Sequence, residues 1–268
     1  AKEVGATARD EAGDARVDFQ LNEQATVTFN GGLTQASNIE LTGLGASQLA
    51  DWIYYYGQAR LTYKDLFIQG FVNQSDAGDT YVLRTGIPIV DKSQLFVGQV
   101  QHKLDVGNRQ RFVYGLDVLQ TRPKTEGTVN GRNEYSDNID EYGLYLQSET
   151  EISRKLTLLA AGRLDEHNHI EKPVFSPRLA LIAKPNPTHS VRLTFNRAFS
   201  TPTSSNLFLD ILQERTANPL PAALRSILNL NDDIANVRVL GVPSATGFTF
   251  RSGQDGSAQM YSQFDLVD

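Results

Sequence analysis

The feature that most constrains this chain is a two-residue alternation of polar and apolar side chains, sustained over unusually long stretches. In Gln110–Arg122, Phe112, Tyr114, Leu116 and Val118 alternate with Gly115, Asp117 and Thr121. In Leu156–Asp165, Leu156, Leu158, Ala160, Gly162 and Leu164 alternate with Thr157, Arg163 and Asp165. Successive strand residues point to opposite faces, so each stretch presents one apolar and one polar face. The pattern recurs at Arg16–Leu21, Ala25–Leu33, Trp52–Tyr63, Leu66–Asn73, Ser93–Asp105, Ile139–Ile152, Phe175–Pro185 and Ser190–Phe199. About ten strands are expected, most of about 9–13 residues. Strands of soluble domains commonly have about 5–6 residues, whereas a tilted strand that crosses a bilayer needs about 9–11.

The connections alternate too. Short turns fall at Asn22, Lys64, Val106, Ser153 and Asn186, and longer connections at Asn38–Asp51, Ser75–Lys92 and Pro123–Asn138, with a shorter one at His167–Pro173. Short turns at one end and long loops at the other describe an outer-membrane β-barrel. A bilayer core holds no water for the backbone, so only a helix or a closed barrel crosses it. The longest apolar runs are about five or six residues, far below the roughly twenty of a spanning helix. A mean hydropathy of -0.33 fits a barrel as well as a soluble protein, because alternation averages out.

A water-filled or plugged lumen tolerates Arg60, Asp117, Glu149, Arg163, Asp165, Arg178 and Arg192, which an apolar core would not. These seven are the lumen-facing candidates for substrate binding. Trp52, Tyr63, Phe67, Phe112, Phe175 and Phe199 lie near strand ends and are expected in interfacial girdles. Tyr54, Tyr55 and Tyr56 read as wall aromatics that could also stack on sugars or aromatic cargo. The net charge of -6 argues against a nucleic-acid coat. The absence of cysteine excludes a disulfide scaffold, a thiolate zinc site, an iron–sulfur cluster and a Cys nucleophile.

Ser176-Pro177-Arg178, opening one strand, and Asn196-Arg197-Ala198-Phe199-Ser200-Thr201-Pro202, closing the next, resemble the mid-barrel of TonB-dependent outer-membrane receptors. Asp140–Gln147 and Ala161–Asp165 are similar to strands of that family, and the resemblance covers about residues 15–210. It implies an all-β, antiparallel transmembrane β-barrel, of which this chain supplies about ten long strands of a larger, 22-stranded whole. Residues 1–14 would be an extracellular loop remnant, 15–199 barrel strands with short periplasmic turns, and 200–268 a large extracellular loop or disordered end. No plug domain is visible, so an interior fragment is expected. The implied function is active import of scarce cargo, a siderophore, vitamin, saccharide or peptide, across the outer membrane of a Gram-negative-type bacterium. The implied partners are outer-membrane lipid, the TonB complex through segments beyond this chain, and the cargo. Nucleic acid, a resident cofactor and enzyme activity have no place in this reading.

Two other classes remain open. A complete ten-stranded barrel enzyme would need acid–base groups at the rim, for which Asp165, His167 and His169 are the available set. A soluble β-rich binding module would pack its apolar faces against a second sheet. His167 and His169 are also weak metal candidates, without a third anchored ligand, and a polar loop accounts for them. Asp10-Glu11, Asp140-Glu141 and Asp232-Asp233 are adjacent carboxylates, which a strand points to opposite faces. Thr42-Gly43-Leu44-Gly45 lacks the Lys and Ser/Thr of a phosphate loop. A short helix is expected over Pro221–Leu228.

Overall fold

The computed structural model describes residues 9–42, 45–217, 234–240, 250–252 and 258–260. The expected helix at Pro221–Leu228 and the Asp232-Asp233 pair lie outside the described residues. Ten long strands form one antiparallel sheet: β1 (Arg9–Asn22), β2 (Ala25–Ser37), β5 (Trp52–Tyr63), β6 (Leu66–Asp76), β8 (Gln94–Val106), β9 (Gln110–Arg122), β10 (Ile139–Ser153), β11 (Leu156–His167), β12 (Val174–Asn186) and β13 (His189–Asn196). Each pairs with its neighbours in chain order, and the barrel is not closed, since β1 and β13 are the sheet's two edges. Between β2 and β8, the short strands β3 (Ile39–Thr42), β4 (Gly45–Gln48) and β7 (Tyr81–Val82) form a separate small sheet. Beyond the main sheet, β14 (Asp210–Ala217) pairs with β15 (Ile234–Leu240).

The tight turns follow from local chemistry. Asn22, Ser153 and Asn186 each accept a hydrogen bond from the backbone N–H two residues on, at 2.9, 3.3 and 3.2 Å. Gly107 and Lys64 take the left-handed conformation, with φ of 61° and 52°.

The turns set the register, and the register sorts the faces. Direct cross-strand partners form one row: Phe19, Val27, Leu61, Ile68, Val100, Leu116, Leu144, Leu164 and Phe175. The sheet buries nothing against this apolar face: Leu144 is 60% exposed and Leu193 74%. Among the described residues the one cluster of buried apolar side chains is Ile139, Leu207 and Phe208, at the loop end of the sheet. A soluble sandwich would cover the apolar face with a second sheet; these strands instead form a single wall.

Register also corrects the girdle. Trp52 shares the face of Tyr54, Tyr56 and Arg60, while Phe67 pairs with Thr62 and Gln101. Both therefore belong to the polar face. Tyr63, Phe112 and Phe175 lie on the apolar face, and Phe199 follows the end of β13. Nearness to a strand end says nothing about face; parity in the register decides it.

The loops at the long end are tied to one another. The Glu134 carboxylate accepts hydrogen bonds from Thr125 N, Thr125 Oγ1, Glu126 N and Gly127 N, at 2.9, 2.6, 3.0 and 3.2 Å. A short helix, α1 (Ser204–Phe208), is capped by Thr203, whose side chain accepts from Asn206 N. Arg132 Nε donates to Asp210 Oδ2 at 2.8 Å, Asn133 Nδ2 to Phe208 O at 2.8 Å, and Asp210 N to Val129 O at 2.9 Å. The stretch after β13 is thereby strapped to the β9–β10 loop.

Burial works to raise the Glu134 carboxyl, but the hydrogen bonds from Thr125, Gly127 and Glu126 outweigh it and hold the group below its ordinary value. A depressed carboxyl stabilises the loop above the ordinary pH 4.5, and that stability is lost as pH falls through the lower, folded value. Burial raises the nearby Asp137 carboxyl, so its protonation works the other way. Glu134→Gln should loosen the loop at neutral pH by roughly 1–3 kcal/mol and remove the acid-dependent loss. Hydrogen exchange across 123–138 as a function of pH checks this.

Candidate functional site

The opposite face carries a second register row, one residue out of step with the apolar one: Asp18, Thr28, Arg60, Gln69, Gln99, Asp117, Gly143 and Asp165. The row starts near the turn end on β1 and reaches the loop end on β11, as the stagger of tilted strands requires. Much of it is linked side chain to side chain. Thr28 Oγ1 donates to Asp18 at 2.6 Å. Arg60 Nε and Nη2 donate to Gln69 Oε1 at 3.0 and 2.8 Å, and Gln69 Nε2 donates to Gln99 Oε1 at 3.1 Å.

At the upper end, Arg163 replaces the missing link. Its Nη1 lies 2.5 Å from Asp117 Oδ2 and its Nε 2.7 Å from Asp165 Oδ1. Asp117 and Asp165 are separated in the row by Gly143, and a Cβ there would collide with the Arg163 guanidinium and sit 2.9 Å from Asp117 Oδ2. Gly143 is therefore the gap through which Arg163 crosses. Gly115 does the same for Tyr145: a Cβ at Gly115 would meet the Tyr145 hydroxyl, which donates to Gln101 Oε1 at 2.9 Å. The Arg163 guanidinium carbon lies 5.9 Å from the centre of the Tyr145 ring. Gln99, Asp117, Glu141, Arg163 and Asp165 line a small cavity of about 160 Å³.

The seven candidates thus divide. Arg60, Asp117 and Asp165 stand in one row, and Arg163 bridges it. Glu149 pairs in register with Arg111, towards the turn end. Arg178 and Arg192 flank a separate opening of about 390 Å³ with Thr194 and Asn196. Asp18, Gln69, Gln99, Gly143 and Tyr145 were not among the sequence's candidates, and Glu141 stood out only as half of an adjacent carboxylate pair. Counting register along successive hairpins could have found the row members, but uncharged Gln and Gly give no signal alone.

Each histidine at the rim is held through one ring nitrogen, and the buried His167 Nε2 has no hydrogen-bond partner among the described residues. His167 is buried, and its Nδ1 accepts from His169 N at 3.0 Å. His169 Nε2 is 2.8 Å from Asn138 O, and its ring packs edge-on against Phe208 at 4.8 Å. Asp165 is engaged by Arg163, so the three do not form a converging acid–base set. Among the described residues no group of three or more metal-binding side chains is gathered. Asp140 lies on the apolar face, paired to Arg122 at 2.6 Å, and Glu141 on the polar face.

A single antiparallel wall, long-stranded, apolar on one face and charged on the other, defines an arc of a wide transmembrane barrel. The chain belongs to the TonB-dependent receptor family: the model of the TonB dependent receptor-like β-barrel domain matches residues 4–243. Among solved structures it is similar to the siderophore receptor PirA of Pseudomonas aeruginosa, with 15% identity and a TM-score of 0.56, over 88% of this chain and 40% of that one. It is also similar to a mutant of the ferric enterobactin receptor PfeA of Pseudomonas aeruginosa, with 16% identity and a TM-score of 0.53, over 79% of this chain and 37% of that one. At these identities the likeness is one of fold, and the chain spans well under half of either neighbour's length. No curated protein matches the chain in sequence.

The gap at Gly143 makes a coupled prediction. Gly143→Val should cost about 1–3 kcal/mol by overpacking and by displacing Arg163. In an Arg163→Ala background the same change should cost much less, a coupling of about 0.5–3 kcal/mol. Thermal unfolding of the four members of the cycle, in detergent, measures it.

Proposed function

We propose that this chain is part of the barrel of an outer-membrane active transporter that binds scarce, siderophore-like cargo. The observation that carries the reading is the two-faced wall: an unbroken apolar row against lipid, backed one residue out of step by a charged, hydrogen-bonded row. In this reading the polar face is the lumen wall, and Arg60, Asp117, Glu149, Arg163, Asp165, Arg178 and Arg192 face cargo or plug. The short turns lie on the periplasmic side and the strapped loops outside. The likeness to two siderophore receptors supports a ferric chelate as the cargo class. Energy would arrive from the inner membrane through TonB and a plug domain, and the chain would perform no chemistry on what it carries.

Uptake of iron-55 chelates by cells with and without the intact receptor, in the presence and absence of TonB, tests the transport reading. Loss of uptake on removing either component is expected; unchanged uptake would sink it. The wall itself makes a second test. Leu144→Arg places a charge on the lipid face at a cost of about 2–4 kcal/mol near the midplane and should block membrane assembly. Gln147→Arg, three residues along on the opposite face, should assemble normally. Heat-modifiable migration of the folded barrel separates the two outcomes.

A further inference from the structure

Three loop-end segments meet around one buried imidazole. His167 ends β11 and is 4% exposed. Leu164 is the last apolar residue on the outward face of β11 and the charged Glu166 follows it, so His167 stands above the lipid band. Its Nδ1 accepts the His169 backbone N–H at 3.0 Å. A backbone N–H only donates, so Nδ1 is bare and the neutral ring carries its proton on Nε2. That Nε2 is buried without a hydrogen-bond partner among the described residues. The bond from His169 N also places the His169 side chain. Its ring lies edge-on to His167 at 5.9 Å and to Phe208 at 4.8 Å, and its Nε2 donates to Asn138 O at 2.8 Å. Phe208 packs in turn with Leu207 and Ile139. The His167 imidazole thus pins the β11–β12 turn, and that turn holds both the β9–β10 loop and α1.

A proton added to this ring has one place to go. It binds Nδ1, where the new N–H meets the His169 N–H donor to donor. The bond is lost, and a charged ring with one more unpaired donor is left in a buried site. His169 differs, because a proton added at its Nδ1 leaves the bond to Asn138 O intact. The carboxylates facing this corner have partners of their own. Glu141, opposite His167 in the register, is bonded to the Thr201 side chain, and Asp165 is held by Arg163. In the β9–β10 loop Asp137 accepts from Asn130 Nδ2 at 2.6 Å, and beyond α1 Asp210 is held by Arg132. Burial first, and then the neighbouring His169, hold the His167 ring below its ordinary pKa of 6.5. The neutral ring therefore stabilises the corner above pH 6.5, and that contribution is lost as pH falls through the lower, folded value. We propose that His167 is an acid-sensitive pin: protonation at Nδ1 frees the 167–170 turn and, through His169 and Phe208, loosens α1 from the β9–β10 loop. This goes beyond the transport reading and does not depend on which cargo is carried.

The experiment uses the full-length receptor in detergent, and only protein with the heat-modifiable migration of a folded barrel is scored. Backbone hydrogen exchange is read by mass spectrometry from about pH 7.5 to about pH 5.5, with the intrinsic pH dependence of exchange divided out. In wild type, protection of 167–170 and 204–210 should fall on the order of tenfold across that range, while 111–121 on the wall stays constant. Glu134 loosens its loop only below pH 4.5, and Asp137 acts in the opposite direction, so neither mimics this step. Exchange of the imidazole C2–H in the same protein gives the titration midpoint of each ring, with His167 and His169 separated by fragmentation. The midpoint of His167 should lie below 6.5 and coincide with the loop step. His167→Asn keeps an acceptor oxygen for the His169 N–H and does not titrate, so its loops should stay protected at both ends of the range. His169→Gln keeps a donor for Asn138 O and should keep the step. A flat wild-type profile would overturn the proposal, as would a step whose midpoint departs from that of His167, or one that survives in His167→Asn. The two wild-type measurements decide the matter even if His167→Asn does not fold.

Discussion

Every residue of this wall depends on the backbone ladder between neighbouring strands. A single sheet without a core cannot draw stability from packing two apolar layers together. Its N–H and C=O groups must be satisfied by the adjacent strand, and in hydrocarbon an unsatisfied group costs several kcal/mol. The ladder fixes register, and register fixes face. Five tight turns, set by Asn22, Lys64, Gly107, Ser153 and Asn186, hold ten strands in step so closely that nine apolar residues from nine strands fall in one row. A slip of one residue at the Gly107 turn would set Asp117 in the place of Leu116, and one at the Ser153 turn would set Asp165 in the place of Leu164.

The polar face solves a different problem. Charges on a partly dry wall need partners, and the row supplies them laterally, strand to strand. Where a direct partner is missing, a glycine makes room for a longer side chain from the next level. Gly143 admits Arg163 between two aspartates, Gly115 admits the Tyr145 hydroxyl, and Gly32 lies under Tyr56. Arg is suited to the first task, since its planar fork meets two carboxylates at once. The paired charges at Asp117, Arg163 and Asp165 are only partly buried, so their mutual attraction is screened and their desolvation incomplete. They serve to fix side-chain positions along the wall more than to add stability.

Alternation made the ten strands and the all-β class legible in the sequence, because a period of two is a direct image of the pleat. Asp117, Arg163 and Asp165 stood out because charge is conspicuous against that pattern. Their joining was not legible, since it depends on Gly143, whose contribution is the absence of a side chain. Trp52 and Phe67 were assigned by position along the strand when parity governs their face. The loops gave no periodic signal at all. The Glu134 carboxylate in its ring of N–H donors and the Arg132–Asp210 tie join residues far apart in the chain through single contacts, and only folded coordinates bring them together.

The same reasoning explains how a fold is shared at 15–16% identity with the neighbouring receptors. What a barrel demands of each position is a face, a turn geometry and freedom from collision, and many residue types meet each demand. Ladder and alternation therefore carry the architecture whatever residue types meet those demands. In the proposed transport reading the residues on the inner face are the ones that meet cargo, so fold likeness says least about them. A contact for the proposed cargo is to be sought in features that the wall does not need for its own stability. The row from Asp18 to Asp165 satisfies much of its own hydrogen bonding, and the Glu134 loop closes on itself. On the same face Trp52 and Tyr54 stack on one another, and Tyr54 and Tyr56 keep part of their ring surface open.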